Sequence, residues 1–153
     1  MTELVYFLIT VATFLIMEGI TWCTHKFVMH GFLWYLHEDH HQPKYQGVFE
    51  KNDAFFVIFA IPSILLFYYG VEDGMNYMFF IGLGILFYGI AYFLVHDVLI
   101  HQRFKWFKKT RNRYLIGLRK AHKTHHKHLG KEKGECFGML YVPIKYFRKP
   151  KLS

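Results

Sequence analysis

Residues 75–101 read "MNYMFFIGLGILFYGIAYFLVHDVLIH": twenty-one residues without a charge, then two histidines five positions apart. A helix rising about 1.5 Å per residue needs roughly 20 apolar residues to cross a hydrocarbon core of about 30 Å. Two further runs meet that length. Residues 4–22 contain one charge, Glu18, and residues 54–71 contain none, broken only by Pro62. Three such runs in 153 residues leave too little polar sequence to bury them as soluble helices. The sequence therefore predicts an all-α membrane protein, one domain over 1–153, with three to four transmembrane helices and a histidine-rich helical cap. The first run has no basic leader and no small-residue cleavage site, and is expected to stay as a span.

Lysine and arginine set the orientation. None precedes Leu4 and none lies in the turn at 72–74; three fall between the first two runs and sixteen follow Val95. Basic loops stay cytoplasmic. The N-terminus and the 72–74 turn are expected outside, and segments 25–53 and 96–153 in the cytoplasm. Cys23 and Cys136, on that reducing side and without a CxxC spacing, read as ordinary thiols.

Asn52 or Asp53 can cap the second helix, and Gly70 to Gly74 can close a tight hairpin. The stretch 102–121, "QRFKWFKKTRNRYLIGLRKA", mixes basic and aromatic residues and predicts a helix lying among lipid headgroups. Trp22, Trp34 and Tyr35 suit an aromatic belt at the same level.

Ten of the eleven histidines repeat one pattern twice: apolar run, HxxxxH, HxxHH. The boxes are His25/His30, His37/His40/His41, His96/His101 and His122/His125/His126. Within HxxHH the three histidines share one helical face and are expected to converge. Five residues turn an ideal helix by roughly 140° beyond a full turn. Each HxxxxH pair is thus expected to splay, one imidazole to each of two metals, unless the helix distorts or ends, as Gly31 suggests. Neutral imidazole suits iron, zinc, copper or nickel, and ten such ligands exceed what one six-coordinate metal can use. A dinuclear centre follows, with few carboxylates (Glu38, Asp39, Asp97) nearby. A haem site needs no HxxHH box, and metal-sensing tracts lack repeated spacing. His128 falls off the pattern and is expected to be a solvated side chain.

The stretches "HKFVMHGFLWYLHEDHH", "GVFEKNDAFFVIFA", "YFLVHDVLIHQRF" and "AHKTHH…GKEKGECFGMLYVP" resemble the bacterial non-haem di-iron carotenoid β-ring hydroxylases, within the fatty-acid hydroxylase superfamily. The resemblance implies two iron ions held by the ten histidines, with zinc or another metal able to substitute in a purified sample. It implies an O2-dependent monooxygenase that hydroxylates C3 of β-ionone rings, taking β-carotene through β-cryptoxanthin to zeaxanthin. Such a substrate, about as long as a bilayer is thick, would enter from the lipid with its ring near the boxes. Gly82 and Gly89 could admit it, or could simply let helices pack. No flavin, haem or iron–sulfur signature is present, so an external donor is implied, a ferredoxin with its reductase. The basic face after Val95 could steer that acidic partner or bind anionic lipid, and nucleic acid is not expected. A bacterial inner membrane is the expected location. Two residues stay open: Glu18, a functional intramembrane acid or a carboxylate bonded to a neighbouring helix, and Asp97, an orienting partner of His96 or a solvent contact. The competing readings are a membrane fatty-acid or sterol hydroxylase or desaturase, and a non-enzymatic metal-binding protein.

Overall fold

The computed structural model describes residues 2–42, 49–72, 74–107 and 109–148. Five α-helices follow in chain order: α1 (Glu3–Cys23), α2 (Trp34–His41), α3 (Ala54–Val71), α4 (Tyr77–Phe93) and α5 (Arg113–His125), with no strand among the described residues. The chain is a membrane protein with three spans, Glu3–Phe32, Lys51–Val71 and Tyr77–Ile100. No fourth span occurs among the described residues. Their outer faces present Leu4, Phe7, Leu15, Ile16, Ile64 and Leu65 to the surroundings, as lipid-facing helices should. The parts of the histidine segments at 43–48, 108 and 149–153 lie outside the described residues.

Helix α4 packs against both α1 and α3, and small residues let it. A Cβ on Gly84 would meet Thr13 Cβ at 2.6 Å and Thr10 O at 2.7 Å. One on Gly82 would sit 3.1 Å from Ser63 O, and the Ser63 hydroxyl donates to Gly82 O at 2.9 Å. Gly89, also a candidate for close approach, faces open space within 4 Å, so only Gly82 of that pair serves packing. The hairpin between α3 and α4 closes where expected: Asn76 N donates to Gly70 O at 3.0 Å, and Asn76 caps α4 by accepting from Met78 N.

The first and third spans change pitch as they leave the bundle. Thr24–Phe32 and Leu94–Ile100 are wide turns bonded i to i+5: Leu33 N donates to Val28 O at 3.0 Å and His101 N to His96 O at 2.9 Å. Such turns are rare and concentrate at functional sites. Gly31 then breaks the first helix, with φ −108° and ψ −125°. Beyond the bundle, α2, α5 and the tail form a cap on one end. Its apolar centre is Leu118, Ala121 and Val142, flanked by Val95, Leu115, Tyr146 and Phe147.

The segment 102–121 is not the single interfacial helix expected. It bends through a short 3-10 turn at Lys105–Phe107 and starts α5 only at Arg113, where Asn112 accepts from Tyr114 N and Leu115 N. Its two halves do different work. Phe104 and Trp106 are exposed, whereas Leu118 is buried under the tail.

Candidate metal centre

The wide turns decide how the first boxes aim. In an i to i+5 turn, residues five apart stack nearly one above the other instead of diverging. His25 and His30 therefore do not splay to separate metals; their ring centroids lie 5.3 Å apart and both join one group. His96 and His101 likewise approach to 4.5 Å.

The HxxHH boxes do the dividing. On a helix of 3.6 residues per turn, i+4 falls to one side of i and i+3 to the other, about 100° apart. His37 and His41 face one group, while His40 leaves for the second; His122 and His126 face the second, while His125 crosses to the first. The boxes do not converge on single points, as the face argument suggested, but straddle two. The first group is His25, His30, His37, His41 and His125. The second is His40, His101, His122 and His126. Within each, the candidate ligand nitrogens lie within 4.8 Å of one another. His96 completes the second group, its Nε2 2.9 Å from that of His40. Each half of the sequence supplies four imidazoles to one group and lends one to the other. The groups adjoin, with the His41 and His126 rings stacked at 4.5 Å.

Which nitrogen faces inward follows from what the other one does. His25 Nδ1 donates to Phe137 O at 3.0 Å, His30 to Lys131 O at 2.9 Å, His41 to His128 O at 2.9 Å and His125 to Glu135 O at 2.9 Å. A carbonyl only accepts, so each Nδ1 holds the proton and each Nε2 offers a lone pair. His37 Nδ1 is fixed in the same sense by Asn52 Oδ1 at 2.7 Å, and His40 Nδ1 by Glu50 Oε2 at 2.7 Å. The Nε2 atoms then meet one another: His25 to His37, His37 to His41 and His30 to His125, each at 3.2 Å. Two lone pairs facing at that distance repel. Buried polar atoms without partners are costly, and a cation at the centre of each group removes the cost by accepting every lone pair.

Burial keeps these rings neutral. It lowers the pKa of His37 and His125 to about 2, His126 to about 3 and His41 to about 4, with neighbouring imidazoles pushing the same way. His40, His101 and His122 are lowered by the same causes. His125 is fully buried and His37 is 2% exposed, so bulk water does not reach the first group's centre. A ten-imidazole, two-centre donor set, with Nδ1 of the five first-group rings and of His40 and His96 engaged on the outer side, fits two divalent transition metals, iron included.

Asp97 is buried and faces its neighbour, with Oδ2 3.3 Å from His96 Nδ1. Glu18 does not reach the centre. Its carboxylate accepts from the backbone N–H groups of Met139 (2.9 Å), Leu140 (3.0 Å) and Tyr141 (2.9 Å), and from the Tyr88 hydroxyl at 2.7 Å. The acid is bonded to a neighbouring helix through Tyr88, as one reading expected, and it also seats the returning tail. Of the two cap candidates, Asp53 takes part in a capping exchange with Glu50, while Asn52 orients His37. Trp34 is half-buried and packs on the rings of His30 and His41 at 5.1 and 5.4 Å. Tyr35, by contrast, is 60% exposed. The His128 side chain stays outside both groups, but its carbonyl serves His41. Cys23 and Cys136 are free thiols.

The fatty acid hydroxylase family model matches residues 10–144. The chain belongs to the fatty acid hydroxylase family. It is 46% identical to a beta-carotene hydroxylase of Pantoea ananas over 136 residues, 89% of this chain and 77% of that protein. It is 44% identical to one of Pseudescherichia vulneris over 147 residues, 96% of this chain and 80% of that protein. A beta-carotene 3-hydroxylase 2, chloroplastic, of Arabidopsis thaliana shares 40% over 122 residues, 78% of this chain and 39% of that protein. No solved structure matches the chain.

Proposed function

We propose that each histidine group binds one iron ion and that the protein is a non-haem di-iron monooxygenase. It hydroxylates C3 of β-ionone rings, carrying β-carotene through β-cryptoxanthin to zeaxanthin. The observation that carries this reading is the outward donation of the first group's Nδ1 protons, which leaves a buried set of Nε2 lone pairs, beside a second group whose Nε2 atoms also face one another. The names of the relatives supply the substrate. An unactivated ring methylene is beyond any side chain, and the metals with O2 would supply the oxidising power.

The chain's own residues do the rest. The ten imidazoles, His25, His30, His37, His40, His41, His96, His101, His122, His125 and His126, set the spacing of the two centres. Phe137, Lys131, His128 and Glu135 carbonyls, with Asn52, hold the first group's rings in one tautomer. The spans place both groups at one end of the bundle, where the ring end of a bilayer-length hydrocarbon would arrive. The two electrons for each turnover come from an external donor, a ferredoxin with its reductase in this reading. The basic cap faces the cytoplasm of a bacterial inner membrane, with the N-terminus outside.

Expression in a host that accumulates β-carotene tests the reading. Zeaxanthin, with a monohydroxylated intermediate at early times, is the expected product. Unchanged pigment, in cells where another hydroxylase draws on the same donors successfully, would overturn the substrate assignment. Hydroxylated fatty acid in its place would move the activity to lipid.

A further inference from the structure

The two groups are alike in ligands and unlike in what stands behind them. Every Nδ1 contact of the first group is neutral: four backbone carbonyls and the Asn52 amide oxygen. Behind two rings of the second group, His40 and His96, stand carboxylates. Glu50 Oε2 lies 2.7 Å from His40 Nδ1, and Asp97 Oδ2 lies 3.3 Å from His96 Nδ1.

One arginine joins them. Arg103 Nη1 donates to Asp53 Oδ1 at 2.9 Å and pairs with Asp97 Oδ1 at 3.2 Å. Its Nη2 lies 2.9 Å from Glu50 Oε2, close enough for an ion pair though not aligned as a hydrogen bond. Arg103 N also donates to Asp97 O at 2.9 Å, so side chain and backbone fix the same aspartate. The guanidinium thus ties the segment before α3 to the end of the α4 span. Three carboxylates meet one cation, which leaves the cluster negative on the second group's side.

A carboxylate behind an imidazole raises the basicity of the nitrogen facing the metal more than a carbonyl does. Resting on the two-metal reading above, we infer that Glu50 and Asp97, clamped by Arg103, are positioning residues that make the second group the tighter of two inequivalent metal sites. The first group, backed only by neutral dipoles, is the looser. Glu50 and Asp97 act through His40 and His96 and touch no substrate.

The test is release of iron from ferrous-iron-loaded protein in detergent against graded chelator, with Mössbauer spectra of the same samples. The wild-type chain should lose its iron in two steps and show two quadrupole doublets. E50Q keeps an acceptor of the same shape and removes the charge. It should weaken the tighter step by about 10- to 100-fold, the usual effect of losing a ligand's outer partner, and alter one doublet. D97N should move the same step and doublet, and covers the case in which E50Q does not fold. N52A should move the other step. A purely structural role for these residues would move both steps together in every variant, which would overturn the inference, as would E50Q and D97N leaving the tighter step unchanged. A wild-type chain that binds fewer than two irons would instead overturn the two-metal reading, and the inference with it.

Discussion

Around the first histidine group the tail loop wraps four carbonyls; around the second, carboxylates and an arginine take their place. The difference teaches how one repeated sequence pattern yields two unlike sites. The histidines come from the repeat, and the surroundings come from wherever the chain happens to return. The first group depends on a tail distant in sequence, held to the bundle through Glu18. The second depends on residues next to its own helices. What the groups share is the exchange of one histidine each, His40 and His125, which makes neither site independent of the other half.

Breaking that exchange should have the largest effect. His40→Ala and His125→Ala each remove a ligand from the group opposite their own box. Each should lower hydroxylation by more than about a hundredfold, beyond the range seen for outer partners. Pigment conversion together with iron content measures both losses. A storage protein would keep most of its metal in either variant.

Glu18→Ala comes next, because it leaves three backbone N–H groups and a tyrosine hydroxyl without their acceptor. Unsatisfied buried donors cost about 1–3 kcal/mol each. The tail should loosen, and with it the carbonyls behind the first group. Limited proteolysis near residues 130–141 should speed up, and the looser iron should leave sooner. An unchanged cleavage pattern would separate the tail from the site.

Acid should weaken both groups together. The pKa values of His37, His41, His125 and His126 fall far below the ordinary value of about 6.5 because burial disfavours imidazolium. Between the unfolded value and the folded values of about 2 to 4, the unfolded chain binds more protons than the folded one. Stability is therefore complete above about pH 6.5 and is lost as pH falls toward 4. The thermal midpoint in detergent should be flat above neutrality and drop below it. A midpoint unchanged down to pH 4 would contradict the buried, neutral rings.

The bundle offers a smaller contrast, between two glycines on α4. Gly84→Ala forces a methyl into Thr13 and should destabilise by about 1–3 kcal/mol. Gly89→Ala meets open space and should be neutral or slightly stabilising, by up to about 1 kcal/mol from helix propensity. Denaturation in detergent distinguishes them. His128→Ala should matter least, since His41 uses the main-chain oxygen at that position and not the ring. Activity within about threefold of the wild type is expected, half a factor of ten or less being under 1 kcal/mol.

The spans were legible because hydrocarbon imposes a length and forbids charge, and both signals are local in sequence. The ten histidines were legible because spacing repeats. Their sorting was not. An ideal helix placed His25 and His30 on different sides, and only the wide turns bring them together. The shared face of HxxHH concealed the angle between i+3 and i+4 that separates His40 from His41. Outer partners were harder still. Glu50, Asn52 and Arg103 look like ordinary residues flanking a helix, and the carbonyls of residues 128–137 have no side-chain signature at all. The nearest available signal was the acidic and basic pairing of Glu50 and Asp97 with Arg103 beside histidine boxes, which spacing alone does not bring into contact.

The most direct measurement is iron K-edge X-ray absorption on the iron-loaded protein. The account expects a shell of light nitrogen or oxygen atoms with the multiple-scattering pattern of several imidazoles per iron, and no sulfur. A sulfur shell, or a spectrum of hydrated iron without imidazole scattering, would contradict it.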